Sequence, residues 1–238
     1  MRLLVTRPQP DADRFAAALA EIGVDAVVAP LMTIELAAST PPDPAACDAL
    51  AFTSANGVRA LARLAPDCPL PAYAVGPASA RVAQNHGFQV AGVAGGNVES
   101  LASLLADALG AGSRVFHPAG ADIAGDLAAL LDARDISCTR QVLYHARIPE
   151  RLPAKIHQLL RNDGLDGAVF FSPRSAESFV RLVTNAGQAS ACARLALFGL
   201  SPAVTEAACG NIAWRRVREA RSPTQEALID TIRAAQSE

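Results

Sequence analysis

One phrase of this chain is written twice: residues 49–61, ALAFTSANGVRAL, return in altered form at residues 167–180 as GAVFFSPRSAESFV. Each copy passes from an apolar run into a serine, Ser54 or Ser172, and then into a helical pattern. A serine Oγ can accept one of the unpaired N–H groups of a first helical turn, so each should sit where a strand ends and a helix opens. The similarity extends well beyond the serines. Residues 2–36 lie without a gap on residues 114–148, both reading strand, polar turn, alanine- and leucine-rich helix, then a long extended segment. A further echo sets residues 72–87, AYAVGPASARVAQNHG, against the stretch around Gly199 and Gly210, and a weaker one sets Glu99-Ser100-Leu101 against Glu226-Ala227-Leu228. Internal repetition of this kind requires repeated structure.

Composition sets the outer limits. A chain of 238 residues, 51% of them hydrophobic, can bury one large core or two modest ones, and the repeat favours two. The formal net charge is −2 and Lys155 is the single lysine, so no basic stripe points to nucleic acid as a partner. Cys47, Cys68, Cys138, Cys192 and Cys209 are scattered, odd in number and never in CxxC spacing, which suggests neither a zinc site nor a disulfide framework. Buried free thiols in a reducing cytosol fit best. The apolar run at residues 3–5 is short, and Asp25, Pro30 and Glu35 break the one at 24–36, so neither a signal peptide nor a spanning helix is expected. The reading is a soluble, cytoplasmic protein without membrane partners.

Taken in order, residues 3–6 form a short strand, residues 7–10 a turn, and residues 11–21 a helix with Phe15, Ala18, Leu19 and Ile22 on its apolar face. Gly23 stops the helix and residues 24–28 make the next strand, a unit of parallel-sheet type. The extended segment 30–36 runs into Ser39-Thr40-Pro41-Pro42-Asp43-Pro44, too proline-rich for an element interior, and reads as a crossing between domains. Its counterpart at 141–148 runs into Pro149 and Pro153 before a helix at 155–161. Between the crossings, strands are expected at 49–53, 73–75, 90–93 and 115–117, with helices at 58–65, 78–85, 98–109 and 123–133. After the second crossing the pattern recurs as far as a C-terminal helix at 224–235, which must join residues 1–30 to complete a sheet. The expected domains are residues 1–33 with 150–238, and residues 38–142 inserted between them, with crossings at 34–37 and 143–149.

The familiar phosphate-binding signatures are missing: there is no GxxxxGK[ST], and Gly110-Ala111-Gly112 precedes a strand where a dinucleotide fingerprint would follow one. His86, His117, His145 and His157 stand alone, without HExxH or carboxylate spacing, and read as solvent-facing histidines. What remains is a set of loops at the C-terminal ends of strands. They are Thr6-Arg7, Thr53-Ser54-Ala55-Asn56, Gly76-Pro77-Ala78-Ser79, Pro118-Ala119-Gly120, Ser172-Pro173-Arg174-Ser175 and Gly199-Leu200-Ser201. Ligands of open parallel sheets bind at that edge, where helix N-termini offer unpaired N–H groups and partial positive charge. The blander account makes each serine an N-cap and each glycine a turn residue. One position breaks the repeat: Tyr144 falls opposite Met32, and a phenol there could donate a proton or a hydrogen bond to a leaving group.

Together these segments give the chain a resemblance to the uroporphyrinogen-III synthase family over essentially its whole length. The resemblance is carried by LLVTRP, Ala-Pro-Leu at 29–31, AFTSANGV, AVGPASA, Val-Leu-Tyr at 142–144, FFSPRSAESF, Phe-Gly-Leu-Ser-Pro at 198–202 and RSPTQEAL. The chain departs from the family at 198–202, where Ile-Gly-Pro-Thr-Thr is common. The resemblance implies an α/β fold of two parallel-sheet, flavodoxin-like lobes, pseudo-duplicated and joined by a two-stranded antiparallel linker, with a cleft that closes on a linear tetrapyrrole. It implies conversion of hydroxymethylbilane to uroporphyrinogen III, with loss of the ring A hydroxyl as water, inversion of ring D and macrocycle closure, and no cofactor or metal. Tyr144 becomes the candidate general acid. Thr6, Arg7, Thr53, Ser54, Asn56, Gly76, Ser79, Gly120, Ser172, Arg174, Ser175, Gly199 and Ser201 become candidate substrate contacts, helix N-termini and arginines anchoring carboxylates. A monomer in transient contact with hydroxymethylbilane synthase is expected. The alternatives are a non-catalytic, hinged two-lobed binder of an anionic small molecule, and a fused pair of flavodoxin-like signalling domains. The latter would call for a phosphate loop or an acidic cluster, which Asp122 and Asp126 alone do not make.

Overall fold

The computed structural model describes residues 1–37, 43–122 and 125–236. Residues 39–42 of the proline-rich stretch at 39–44, and the helix start expected at Ile123, fall outside them. In chain order the elements begin with β1 (Arg2–Val5), α1 (Asp11–Ala20), β2 (Asp25–Val28), β3 (Thr33–Leu36), β4 (Ala49–Phe52), α2 (Ala55–Leu64), β5 (Ala72–Ala74) and α3 (Pro77–Asn85). They continue with β6 (Val90–Val93), α4 (Val98–Ala108), β7 (Arg114–Gly120), α5 (Leu127–Asp132), β8 (Ser137–Arg147) and α6 (Ala154–Arg161). The last part holds β9 (Gly167–Phe170), α7 (Pro173–Asn185), β10 (Ala196–Gly199), α8 (Pro202–Cys209), β11 (Arg216–Glu219) and α9 (Gln225–Ala235).

The chain divides into two compact units, Met1–Thr33 with Arg147–Glu238, and Ile34–Ala146. In the first, the sheet order is β11-β10-β9-β1-β2, with every neighbouring pair parallel. Sequence alternation splits its core into two layers. Leu4 packs with Ala168, Phe170 and Leu197 on one face, while Leu3 and Val5 pack with Val169 and Phe198 on the other. Helices cover both faces, which is why β1 and β9 read as unbroken apolar runs rather than as alternating ones. At the end of α1 the chain reverses through Gly23, whose φ of +73° a residue with a side chain rarely adopts.

The second unit carries a six-stranded sheet of order β3-β8-β7-β4-β5-β6. The strands matched by the internal repeat hold matched places: β8-β7-β4-β5-β6 here answers β2-β1-β9-β10-β11 in the first unit. Counted along the first unit, the order is 2-1-3-4-5, the flavodoxin-like winding, whose switch point lies between its first and third strands. The switch therefore falls between β1 and β9 in one unit and between β7 and β4 in the other. β3 adds an edge beside β8, with the Ala37 N–H donating to the Leu143 carbonyl at 2.9 Å. α5 is shorter than its periodicity suggested. It opens only at Leu127, because the Asp126 carboxylate caps the Ala129 N–H at 3.1 Å.

Candidate active site

At the switch point of the second unit, β4 delivers Thr53 and Ser54 to the start of α2. The Ser54 backbone is extended, so its Oγ folds back to accept the Gly57 N–H at 3.1 Å. A Cβ on Gly57 would run into the Pro118 carbonyl of β7, so the glycine lets the helix start seat against that strand. The same Ser54 Oγ lies 2.9 Å from the Tyr144 hydroxyl. This bond depends on a break in strand register. Along the β7–β8 pair Ala119 faces Val142, but Gly120 faces Tyr144, so the extra residue Leu143 turns the tyrosine. Gly120 completes the fit, because a Cβ there would stand 2.7 Å from the tyrosine Cζ. Tyr144 is 9% exposed.

Behind this pair lies a second polar contact. His117 on β7 has its Nε2 2.9 Å from the Thr53 Oγ1 and is 2% exposed. The reading of His117 as a solvent-facing histidine is thus corrected. β7 runs between β8 and β4 in the sheet interior, and every residue of it from Val115 to Gly120 is buried. Burial, together with the nearby Arg140 guanidinium, pushes the imidazole down from 6.5 to about 4 and keeps it neutral at ordinary pH. Arg140 itself donates to the Gly120 carbonyl at 2.7 Å and the Ala121 carbonyl at 3.0 Å, pinning the loop after β7. His86 is exposed, and His145 and His157 are half-buried.

The first unit's switch point is built from the same backbone and other side chains. Ser172 caps α7 by accepting the Ser175 N–H at 3.3 Å, and its Oγ is 2.5 Å from the Ser175 Oγ. The Arg7 guanidinium lies 4.1 Å from the centre of the Phe171 ring, donates to Gln225 at 3.2 Å and pairs with Asp11 at 3.5 Å. Thr6 is 1% exposed and its hydroxyl donates to the Val169 carbonyl at 3.3 Å, so it ties β1 to β9.

The remaining candidates are placed by local packing. The Asn56 Oδ1 accepts from Arg59 at 3.0 Å, one turn along α2. Gly76 caps α3 in extended backbone ahead of Pro77, and Ser79 is buried in its first turn. Gly199 ends β10 where a Cβ would strike the Thr205 Cγ2, so its role is close approach of α8. Ser201 occupies the N-cap of α8 without a side-chain capping bond, and Arg174 is half-buried in the first turn of α7. His117 and Arg140 were not among the candidates. The available signal was the repeat itself, which sets His117 against Val5 and Thr53 against Phe171.

Two doubly wound parallel α/β units, each with a switch point where its strand order reverses, define the fold class. The family model for uroporphyrinogen-III synthase HemD matches residues 13–230, and the chain belongs to that family. Uroporphyrinogen-III synthetase from Helicobacter pylori shares its fold at TM-score 0.64 and 18% identity, covering 100% of this chain and 99% of that one. A mutant uroporphyrinogen III synthase from the extreme thermophile Thermus thermophilus aligns at TM-score 0.59 and 16% identity over 100% of both chains. No curated protein matches at a significant level. Membership gives the chain an enzymatic role in tetrapyrrole biosynthesis. Among the described residues, no helix is long and apolar enough to cross a membrane.

Proposed function

We propose that this chain is a carbon–oxygen lyase that closes hydroxymethylbilane to uroporphyrinogen III, with Tyr144 as general acid. The observation that carries this reading is the 2.9 Å contact between the Tyr144 hydroxyl and the Ser54 Oγ, made while that Oγ also accepts the Gly57 N–H. A serine hydroxyl has one proton to give. With an acceptor site taken by Gly57, Ser54 can donate to the phenolic oxygen and leave the phenol's own proton for a leaving group. That proton goes to the ring A hydroxyl, which departs as water while the electron-rich pyrrole supplies the electron pair. Ring D then attacks through its substituted carbon to form a spiro centre. The bond from that carbon to the ring C bridge breaks, the electron pair returning to ring D while the ring C pyrrole stabilises the freed methylene. The unsubstituted carbon of ring D bonds to that methylene, so that ring D is inverted and the proton lost from that carbon restores the phenol. The Ser54 bond lowers the cost of the phenolate formed in between.

The rest of the task is positional. The bilane's acetates and propionates are met by the N-terminal turns of α2, α3, α7 and α8, and by Arg7 and Arg174. Holding ring D to attack at the substituted carbon trades rotational freedom for rate, an entropic contribution that needs no further acid or base. The enzyme is proposed to work as a cytoplasmic monomer that takes its unstable substrate from hydroxymethylbilane synthase.

The test is to generate hydroxymethylbilane in situ, add the protein, oxidise the products and separate type I from type III porphyrins. A dominant type III product supports the reading. Type I alone, from folded protein, overturns it and leaves a binder of an anionic small molecule.

A further inference from the structure

Tyr144 is not the single point at which the two switch points differ. Matching the repeats places His117 against Val5, Thr53 against Phe171, Gly120 against Pro8 and Tyr144 against Met32, while Ser54 and Ser172 are shared. The four differences are adjacent in space. His117 meets Thr53 at 2.9 Å, Thr53 precedes Ser54 in the chain, Ser54 meets Tyr144 at 2.9 Å, and Gly120 makes room for the Tyr144 ring. In the first unit the positions matching His117 and Thr53 are apolar and packed: Val5 is fully buried and Phe171 lies against Phe15 with ring centres 4.8 Å apart. A polar pair in so dry a strand costs stability unless it is hydrogen-bonded, and a threonine–histidine contact contributes nothing to a core that valine and phenylalanine would not supply better.

We propose that His117 is a positioning residue for the reaction: its bond to the Thr53 hydroxyl fixes the turn between β4 and α2, so that the Ser54 Oγ stays directed at the Tyr144 phenol. The proposal rests on the reading of Tyr144 as the general acid. Thr53 therefore faces inward to the histidine, and its contribution to the substrate is indirect. Because the imidazole remains neutral, it can accept the Thr53 proton or donate to its oxygen without a change of charge beside the phenol. The tie acts across two strands. His117 stands on β7, Thr53 follows β4, and these strands flank the switch point itself. The turn is therefore held from the sheet floor as well as by its own helix cap.

The test compares His117→Leu, His117→Gln and Thr53→Val, each alone and in a Tyr144→Phe background, by steady-state formation of type III porphyrin. With Tyr144 present, His117→Leu and Thr53→Val should each lower kcat about 10-fold with KM changed less than about twofold, the pattern of a contact that matters in the transition state. His117→Gln, whose amide can reach the same hydroxyl, should recover most of the loss. In the Tyr144→Phe background the same substitutions should change kcat by less than about twofold, since the group they position is gone. A merely structural role would multiply the losses in both backgrounds, and that result overturns the proposal, as does an unchanged kcat in His117→Leu. A crystal structure of Thr53→Val gives a readout independent of turnover. The Ser54–Tyr144 separation should open past about 3.5 Å, beyond hydrogen-bonding reach, and a retained bond overturns the proposal. If the unaltered protein yields type I alone, the synthase reading fails by itself, and that separation still judges whether the pair is positioned by His117.

Discussion

At Ser54 and at Ser172 the chain makes nearly the same backbone move, with φ, ψ of −156°, 151° and −149°, 150°, and each hydroxyl caps the helix it opens. What lies on the far side of the hydroxyl differs. Ser54 meets a phenol, itself turned inward by a register break, whereas Ser172 meets a second serine. Nearby, a buried histidine supports the first turn and an arginine stacked on phenylalanine stands beside the second. One backbone device thus serves two purposes. A strand-to-helix turn supplies anion-receptive N–H groups wherever it occurs, but proton transfer needs a group that the turn itself does not carry.

The sharpest way to break this comparison is Tyr144→Phe, which should lower the rate about 10- to 1000-fold if one general-acid contact is lost. Steady-state assay of type III porphyrin checks it, and an unchanged rate would remove the distinction between the two turns.

The next effect belongs to His117 and appears in stability rather than rate. Its folded value of about 4 lies below the ordinary 6.5, so between those limits the unfolded chain binds a proton that the native one refuses. Stability is full above pH 6.5, falls as pH drops toward 4, and levels off below, a total of about 3 kcal/mol. Urea midpoints at about pH 7 and about pH 4.5 should separate the wild type from His117→Leu, which lacks this contribution to the slope. Equal slopes would mean that the imidazole is charged or accessible in the native state.

Gly120→Ala sharpens the comparison from the steric side. Its Cβ would fall 2.7 Å from the Tyr144 Cζ, so the ring must move, at about 1–3 kcal/mol of stability by thermal melting. The rate should fall with it, because the phenol leaves Ser54. The smallest effects come from the caps. Ser54→Ala and Ser172→Ala should each cost about 1 kcal/mol in chemical denaturation. They should part in kinetics, Ser54→Ala lowering kcat and Ser172→Ala raising KM. Matching kinetic losses would make the turns equivalent.

Much of the fold was legible because its signals are local. Ser54 and Ser172 announced helix starts, Gly23 announced a stop, and the unbroken apolar runs at β1, β4 and β9 announced parallel strands covered on both faces. The candidate site came from two signals. The break in the repeat pointed to Tyr144, and the strand C-terminal ends pointed to the loops, among them Thr6, whose hydroxyl bonds the Val169 carbonyl, and Gly199, against which α8 packs closely. Both lie at strand ends, where the sequence does not reveal which way a side chain points.

By itself, the sequence pointed to two parallel α/β units, to a serine-capped helix after β4 and after β9, and to a Tyr144 with no partner of its kind in the other half. Capping, periodicity and internal similarity each depend on neighbours along the chain. Only the tertiary structure decided that His117 is buried and bonded to Thr53, and that Tyr144 reaches Ser54. Those facts depend on which strands lie beside β7, and on one extra residue at Leu143 that shifts the register of β8. Strand order and register are set by packing between segments far apart in sequence, where a slip of one residue sends a side chain to the opposite face.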